Sequence, residues 1–279
     1  MILITGGRGT VATNLATLLH AHDQPIRVGS ADPTKLTNLP DHTPTTPLNL
    51  ADPTTFAPAL TGITSVFLYA NPTHIDEFIH TAHTHAVTHI VLLSSTSTLT
   101  DNPHHDALAT THLNVEKALL AGPIPTTILR PGAFAANAGA WAWPIKAGQP
   151  VNLPYPGAYT EPIHEKDIAQ CAFAALTEPA HRGGAHTLSG PATMTFREQL
   201  DQLGDALGRK ITVHGVTDEQ WKTQMADYIP EPVADSLLAL WRSSDGKPGQ
   251  PTDGVRHLTG RPARTFATWA DEHRADFEN

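Results

Sequence analysis

Residues 1–15 read MILITGGRGTVATNL: four mostly apolar residues, a glycine-rich turn and the start of a helical pattern. A chain that leaves a buried strand and enters a helix at once needs residues without a Cβ at its tightest points, and the three glycines provide them. The turn also aims the free N–H groups of the helix at whatever lies above the strand, which suits a phosphate. Gly6-x-x-Gly9-x-x-Ala12 departs from the usual G-x-G-x-x-G. The strand before it, the helix after it and a second strand near Pro25 nevertheless favour a nucleotide-binding turn over an ordinary tight connection.

Apolar strand-like stretches alternate with helical patterns through the first half of the chain. The six strand candidates are MILIT, PIRVGS, TPLNL, ITSVFLYA, HIVLLSS and PTTILRP. Because each parallel pairing needs a crossover connection, we predict an α/β fold with a doubly wound parallel sheet. Ligands of such sheets bind beyond the carboxyl ends of the strands, so the residues that follow each strand are the candidate site.

From Gly132 the sequence becomes rich in proline, glycine and aromatic residues, which indicates the wall of a pocket. Helical and strand-like stretches resume with KDIAQCAFAALTEP and AHTLSG. We therefore predict a nucleotide-binding core over residues 1–131 and a smaller carboxyl-terminal, substrate-binding part over residues 132–279. Helices and strands of this second part also complete the core.

Composition restricts the partners and the location. The chain has 40% hydrophobic and 16% charged residues, which is typical of a globular protein. Its net charge of -9 and the lack of a basic cluster argue against nucleic acid as a partner and leave a small molecule. The apolar runs fall short of the roughly 20 residues that cross a bilayer, and a strand at the very start leaves no room for a leader. We expect a cytoplasmic protein that does not enter a membrane, and the oligomeric state stays open.

The cysteine and histidine content does not favour a metal site. Cys171 is the single cysteine and stands in the apolar helical stretch DIAQCAFAAL, which predicts a buried structural thiol. Four of the 17 histidines crowd one stretch: His80, His83, His85 and His89. No nearby carboxylate or cysteine completes a ligand set there, so we predict no metal.

Six fragments carry a family resemblance over essentially the whole chain. In order they are TGGRGTVATNL, LNLAD, VFLYANP, IVLLSST, HLNVEKALLAGPIPTTILRPGAFAAN and PIHEKDIA. Together they resemble the atypical short-chain dehydrogenase/reductases, in particular the NmrA-like group. The resemblance implies a Rossmann fold with a smaller carboxyl-terminal part and binding of NAD(P)(H). It also implies either reduction of quinones or ketones or redox sensing without turnover.

The resemblance carries cofactor contacts onto positions that follow four strands. These are Gly6, Arg8, Gly9, Thr10 and Val11 at the diphosphate and adenosine ribose, Asn49 and Leu50 at the adenine, Ala70 and Asn71 on the ribose side, and Pro131, Gly132, Ala133 and Phe134 at the nicotinamide. The family more often has Asp where this chain has Asn49. An amide can still accept from the adenine amino group and donate to a ring nitrogen.

The residues after the second strand bear on the choice between NADP and NAD. An NAD enzyme usually places a carboxylate there for the ribose hydroxyl, but the stretch VGSADP offers Ser30 and Ala31. Arg8 resembles the basic residue of many NADP-dependent short-chain reductases, and a guanidinium can grip a phosphate. Against this, NmrA-like proteins often carry Arg where Ala31 stands, and Asp32 is near enough to repel a phosphate. We predict NADP, with NAD as a possible alternative.

The superfamily's Tyr-x-x-x-Lys pair is replaced here by His112 and Glu116. The i, i+4 spacing places both on one helical face. Glu116 could raise the pKa of His112 toward neutrality and make it a proton donor, or the two could form a solvated helix pair. Thr96 falls where the superfamily keeps its catalytic serine, with Ser95 beside it, and a hydroxyl there can polarise a substrate carbonyl.

Loss of the Tyr/Lys pair favours acceptors whose reduced anion is delocalised, such as quinones. Aromatic side chains that would suit a flat guest are Phe134, Trp141, Tyr155 and Tyr159. They could equally form a hydrophobic seam between the two parts. We predict an NADPH-dependent oxidoreductase that transfers hydride to a quinone or a conjugated aromatic, polyketide-like ketone. The alternative is a non-catalytic NAD(P)-sensing regulatory protein of the NmrA type.

Overall fold

The computed structural model describes residues 1–100 and 103–278. Its strands are β1 (Ile2–Ile4), β2 (Ile26–Ser30), β3 (Thr45–Pro47), β4 (Ser65–Tyr69), β5 (His89–Leu93), β6 (Thr126–Pro131), β7 (Val151–Leu153), β8 (Tyr159–Thr160), β9 (Ala185–Leu188), β10 (Met194–Thr195) and β11 (Val213–Gly215). Its α-helices are α1 (Thr10–Ala21), α2 (Phe56–Leu60), α3 (Ile75–Thr84), α4 (Ala107–Ala121), α5 (Ala142–Lys146), α6 (Glu165–Thr177), α7 (Phe196–Leu207), α8 (Asp218–Met225), α9 (Glu231–Ser244), α10 (Gly254–Thr259) and α11 (Phe266–Glu272).

Seven strands form one parallel sheet in the order β3-β2-β1-β4-β5-β6-β9. The six predicted strands are the first six in sequence, and the predicted Rossmann-type doubly wound sheet is confirmed. The strand order reverses between β1 and β4, so the crevice for a ligand lies where these two strands end. The seventh strand, β9, comes from the chain beyond residue 131 and pairs with β6.

Helices cover both faces of the sheet, which explains why its central strands are apolar throughout. One face packs against α1, α6 and α10 through side chains such as Leu15, Ile168 and Leu258. The other packs against α2, α3 and α4 through Phe56, Phe78 and Val115. Cys171 lies in the first cluster, fully buried, and this burial raises the pKa of its thiol. The cysteine is therefore a core side chain, as predicted.

The carboxyl-terminal elements build a separate apolar cluster beside the sheet. It joins α7 and α11 with β7 through Leu200, Trp269 and Val151, among others. Helix α7 begins with a capping box, in which Thr195 and Glu198 satisfy each other's backbone N–H groups. Two small pairings support this region, β7 with β11 and β8 with β10.

Neither a membrane span nor a metal cluster is found in the part of the chain that the structure describes. No helix there combines the length and the apolar character that crossing a membrane requires. Likewise, no group of three or more His, Cys, Asp or Glu side chains there could hold a metal ion. Of the four crowded histidines, His89 is fully buried in β5.

Candidate dinucleotide and active site

The glycine turn after β1 is shaped for close approach to an anion. Gly6 has a φ of +65°, and its carbonyl accepts a hydrogen bond from the Gly9 N–H at 2.8 Å. Gly9 is the N-cap of α1 and has no side chain to cap the helix, so the first-turn N–H groups of Thr10 and Val11 are left for an external acceptor. The residues present therefore fit the diphosphate of a dinucleotide.

Tyr69, at the end of β4, explains why the turn must contain glycine. A Cβ on Gly6 would lie 2.6 Å from Tyr69 Cδ2, and a Cβ on Gly9 would lie 2.6 Å from the Tyr69 hydroxyl oxygen. Burial raises the pKa of Tyr69 to about 12, and only an opposing interaction with the backbone of Ala12 lowers it. The phenol thus stays protonated and packs against the turn. The sequence analysis missed this residue, although strand alternation places it on the α1 side of the sheet.

The loop after β2 is ordered by its own polar groups. The Ser30 hydroxyl donates to the Asp32 carbonyl at 3.1 Å and accepts from the Asp32 N–H at 3.2 Å. The Asp32 carboxylate accepts from Thr34, and Lys35 Nζ lies 3.2 Å from its Oδ2. Hydrogen bonds from Thr34 and then Lys35 hold the pKa of Asp32 below its usual value. Lys35, which the sequence analysis did not identify, is thus a second cation that acts on Asp32, together with Arg8.

The residues predicted at the adenine and ribose lie at the ends of β3 and β4. Asn49 is exposed, and its Oδ1 accepts the Ala51 N–H at 3.0 Å, which leaves its amide N–H₂ group for a ligand. Asn71 Oδ1 likewise accepts from the Thr73 N–H at 3.0 Å. The two apolar positions of this set, Leu50 and Ala70, pack half-buried against the core.

The structure brings Thr96 and Gly132 together, as expected for residues that follow two neighbouring parallel strands. Thr96 Oγ1 lies 3.9 Å from the point that a Cβ on Gly132 would occupy. The Gly132 N–H donates to the Leu188 carbonyl at 3.0 Å, so the turn after β6 is anchored on β9, and Pro131 is in register with the same Leu188. Ser95 has a different task, because its hydroxyl accepts from the Ser97 N–H and caps the short 3-10 helix Thr96–Leu99.

Ala133 and Phe134 are held by the segment that precedes α6. The Ala133 carbonyl accepts from the Ile163 N–H at 2.9 Å, and the Ile163 carbonyl accepts from the Ala135 N–H at 2.8 Å. Phe134 packs, half-buried, against the cluster between the sheet and α1 and α6. This places its ring on the same side of the sheet as the glycine turn.

The predicted pairing of His112 with Glu116 is wrong, and so is the alternative of a solvated pair. Glu116 is buried and binds Arg130, Nε to Oε1 at 2.9 Å and Nη2 to Oε2 at 2.5 Å. His112 Nδ1 is buried without a hydrogen-bond partner among the described residues. Burial lowers the pKa of His112, and the charge of Glu116 opposes this only in part. Because burial lowers its pKa, the imidazole of His112 is neutral at pH 7.

Two of the predicted substrate-binding residues lie in an aromatic row of the carboxyl-terminal part. Its ring centroids follow one another at 6.0, 5.4 and 5.0 Å, from Trp141 through Phe196 and Trp241 to Trp221. Tyr155 packs beside this row, against the buried cluster of Trp221, Ala234 and Leu238. All of these rings belong to the carboxyl-terminal part, so the row is not a seam between this part and the nucleotide-binding core.

The stretch that carries Tyr155 is fastened to α8 and α9. Arg242 Nε donates to the Tyr155 hydroxyl at 2.7 Å, and this hydroxyl donates to Asp218 Oδ2 at 3.2 Å. Arg242 and Asp218 are also paired with each other. Tyr159 is in β8 and pairs with Thr195 of β10.

A glycine turn of this geometry at the switch point of a doubly wound sheet defines a dinucleotide-binding protein of the Rossmann class. Residues 6–179 match the family model described as NAD(P)H-binding, and the chain belongs to this family. It is an NAD(P)H-dependent reductase of the NmrA-like, atypical short-chain type, as predicted.

Two relatives with reductase names match the whole chain, and a solved structure shares its fold. The chain is 32% identical to a (4-alkanoyl-5-oxo-2,5-dihydrofuran-3-yl)methyl phosphate reductase of Streptomyces griseus, with 99% of each chain covered. It is 30% identical to an NAD(P)H azoreductase of Xenophilus azovorans, again over 99% of each. An NADPH-dependent quinone oxidoreductase of Escherichia coli shares the fold with a TM-score of 0.82 at 22% identity, over 98% of this chain and 99% of that one.

Proposed function

We propose that this protein transfers a hydride from NADPH to a quinone or a conjugated aromatic, polyketide-like ketone in the cytoplasm. One observation carries the choice of acceptor. Glu116 stands where the superfamily's lysine would stand, and its carboxylate is bound to Arg130. The side chain at this position is therefore an anion already paired with Arg130, and it cannot make a neighbouring phenol or imidazole a ready acid as a free lysine would.

The acceptor must then stabilise its own negative charge. Reduction of an isolated ketone places the charge on one alkoxide oxygen, which needs a proton at once. A quinone spreads the same charge over its ring and second oxygen, and water can protonate it later. The names of the two relatives agree with such acceptors. The first name describes a carbon–carbon double bond with two carbonyl groups on one of its carbons, and the second implies an azo double bond.

When bound, NADPH supplies the hydride and with it two electrons. Thr96 then serves as a hydrogen-bond donor to the acceptor oxygen, in support of which its hydroxyl lies at the turn of Gly132. We assign His112 a supporting role as a neutral hydrogen-bonding group, because burial keeps its pKa low. Phe134 and the aromatic row that begins at Trp141 supply apolar walls.

NADPH is preferred over NADH in this proposal. Arg8 is exposed on the glycine turn, and Lys35 lies within 3.2 Å of Asp32 on the neighbouring loop. Arg8 and Lys35 are thus two cations that act on one carboxylate, that of Asp32, which already binds Thr34 and Lys35. The repulsion that Asp32 would exert on a 2′-phosphate is thereby offset.

The test is steady-state oxidation of NADPH with acceptors of graded conjugation. We expect a naphthoquinone and a conjugated aromatic ketone to be reduced with a kcat/KM at least about 100-fold above that of cyclohexanone, since only the last needs a strong proton donor. Equal rates with cyclohexanone would contradict the argument from Glu116. Binding of NADPH with turnover of none of these acceptors would contradict the proposed function as a whole.

A further inference from the structure

A buried carboxylate on α4 joins two loops at the cofactor edge of the sheet. Besides its two bonds from Arg130, Glu116 Oε1 accepts from the Ser94 hydroxyl at 2.5 Å and lies 3.4 Å from the Thr98 hydroxyl. We call these four residues the Glu116 cluster. Ser94 and Thr98 stand on either side of Thr96, and Arg130 is the residue before the Pro131–Gly132 turn. One carboxylate thus contacts both loops that form the nicotinamide side of the site.

Burying the charged side chains of the Glu116 cluster costs solvation free energy. Glu116 is 3% and Arg130 18% exposed, so both charges are largely removed from water. Burial alone would raise the pKa of Glu116, but the hydrogen bonds from Arg130 and Ser94 more than offset it and lower the pKa. Apolar side chains of similar volume stabilise a core about as well as such a pair. They cannot fix direction, however, which hydrogen bonds at one carboxylate do.

We propose that Glu116 and Arg130 are positioning residues that fix the loops carrying Thr96 and Gly132 in the geometry that hydride transfer needs. This inference rests on the proposed function. The bidentate pair fixes the end of β6, and the two hydroxyl contacts fix the loop after β5. Their joint effect is to hold Thr96 Oγ1 close to Gly132, beside the predicted nicotinamide position. Neither Glu116 nor Arg130 needs to touch cofactor or acceptor to act in this way.

The chain offers a matched control for the cost of losing a buried ion pair. Asp167 in α6 is 1% exposed. Its carboxylate accepts from the Arg264 guanidinium and, at 2.6 Å, from the Arg264 backbone N–H. This pair joins α6 to the segment before α11, and among the described residues it has no hydrogen bond or ion pair with the loop after β5 or the turn after β6. Asp167→Asn and Glu116→Gln remove the same charge from the same kind of pair.

The experiment compares these two variants of the full chain. Thermal unfolding measures stability, and the emission of bound NADPH reports the surroundings of the nicotinamide without any acceptor. Titration with 2′,5′-ADP, which lacks the nicotinamide, measures the adenosine end. We expect Glu116→Gln to change the emission of bound NADPH and to lower kcat about 10- to 100-fold, since small misplacements cost that much. Binding of 2′,5′-ADP should stay unchanged.

Asp167→Asn should lower the melting temperature to a similar extent and leave both the emission and kcat as in the unsubstituted protein. Arg130→Lys, which keeps the charge but loses the planar fork, should repeat the effect of Glu116→Gln and serves if that variant does not fold. The inference is overturned if Glu116→Gln and Arg130→Lys keep the emission and kcat. It is also overturned if Asp167→Asn changes them equally. An unsubstituted chain that binds NADPH but reduces no acceptor would contradict only the proposed function, because the emission still tests the Glu116 cluster.

Discussion

At the scale of single residues, the glycine turn shows how a short pattern depends on a distant side chain. The run of glycines predicts a tight turn from local sequence alone, because only glycine adopts the φ of Gly6 without strain. The requirement at Gly9 is different, since it comes from the ring of Tyr69 some 60 residues later. Sequence spacing could not reveal this contact, which depends on the pairing of β1 with β4.

Gly9→Ala should weaken NADPH binding. The new methyl group would meet the Tyr69 hydroxyl at 2.6 Å, so the ring or the turn must move. Such a displacement typically costs about 1–3 kcal/mol, which predicts at least about a 5-fold rise in Kd. Fluorescence titration measures it. Gly139→Ala is the control, because a Cβ there meets nothing within 4 Å. Wild-type affinity in Gly9→Ala would show that the turn tolerates a side chain.

Arg8→Ala should reduce the preference for NADPH over NADH. A charge-assisted hydrogen bond contributes about 1.5–3 kcal/mol, so we expect the Kd of NADPH to rise at least about 10-fold while that of NADH stays the same. Parallel titrations with both dinucleotides measure this, and added salt should weaken NADPH selectively. An equal loss for NADPH and NADH would place Arg8 at the diphosphate instead.

At the scale of elements, strands were easier to predict than side-chain partners. The central strands of the parallel sheet are buried on both faces, so each of them is a continuous apolar run that can be recognised in the sequence. The sequence also places His112 and Glu116 on one face of a helix, which is α4, but it does not show what that face contacts. The i, i+4 rule pairs Glu116 with His112, whereas tertiary packing presents Arg130 from β6, a stronger and always charged partner.

His112→Phe tests the role of α4 in proton transfer. A proton donor that is required for turnover should cost about 100-fold or more in kcat on removal. We expect a loss below about 10-fold with a quinone, since the neutral imidazole supplies one hydrogen bond at most. The rate should also be independent of pH above 7, because the pKa of His112 lies below its usual value. A fall in rate with rising pH that His112→Phe abolishes would restore the proton-donor hypothesis.

At the scale of the whole molecule, buried histidines make stability depend on pH. Burial, with the charge of Arg182, lowers the pKa of His89 from 6.5 to about 4. Between these two values the unfolded chain binds more protons than the folded chain, so stability is complete above pH 6.5 and is lost as the pH falls toward 4. The pKa values of His164 and His186 are lowered as well, which adds in the same direction.

We therefore expect the melting temperature to fall by several degrees from pH 7 to pH 5. His89→Gln should reduce this fall, because an amide does not titrate and can still bond to Thr127, which lies 2.9 Å from His89 Nε2. Calorimetry at both pH values provides the measurement. The prediction fails if the variant and the unsubstituted chain lose the same number of degrees.

The path of the chain through β9 has a consequence for engineering and for evolution. After the proposed acceptor wall, the backbone returns to the sheet, where β9 pairs with β6 and is itself covered by Thr252 and Gly254. A hybrid made by joining two relatives at residue 131 would leave β6 with a foreign neighbour along its hydrogen-bonding edge. To transfer acceptor specificity between such enzymes, individual side chains of the acceptor site must therefore be substituted. Exchange of the whole segment after residue 131 would disturb the sheet.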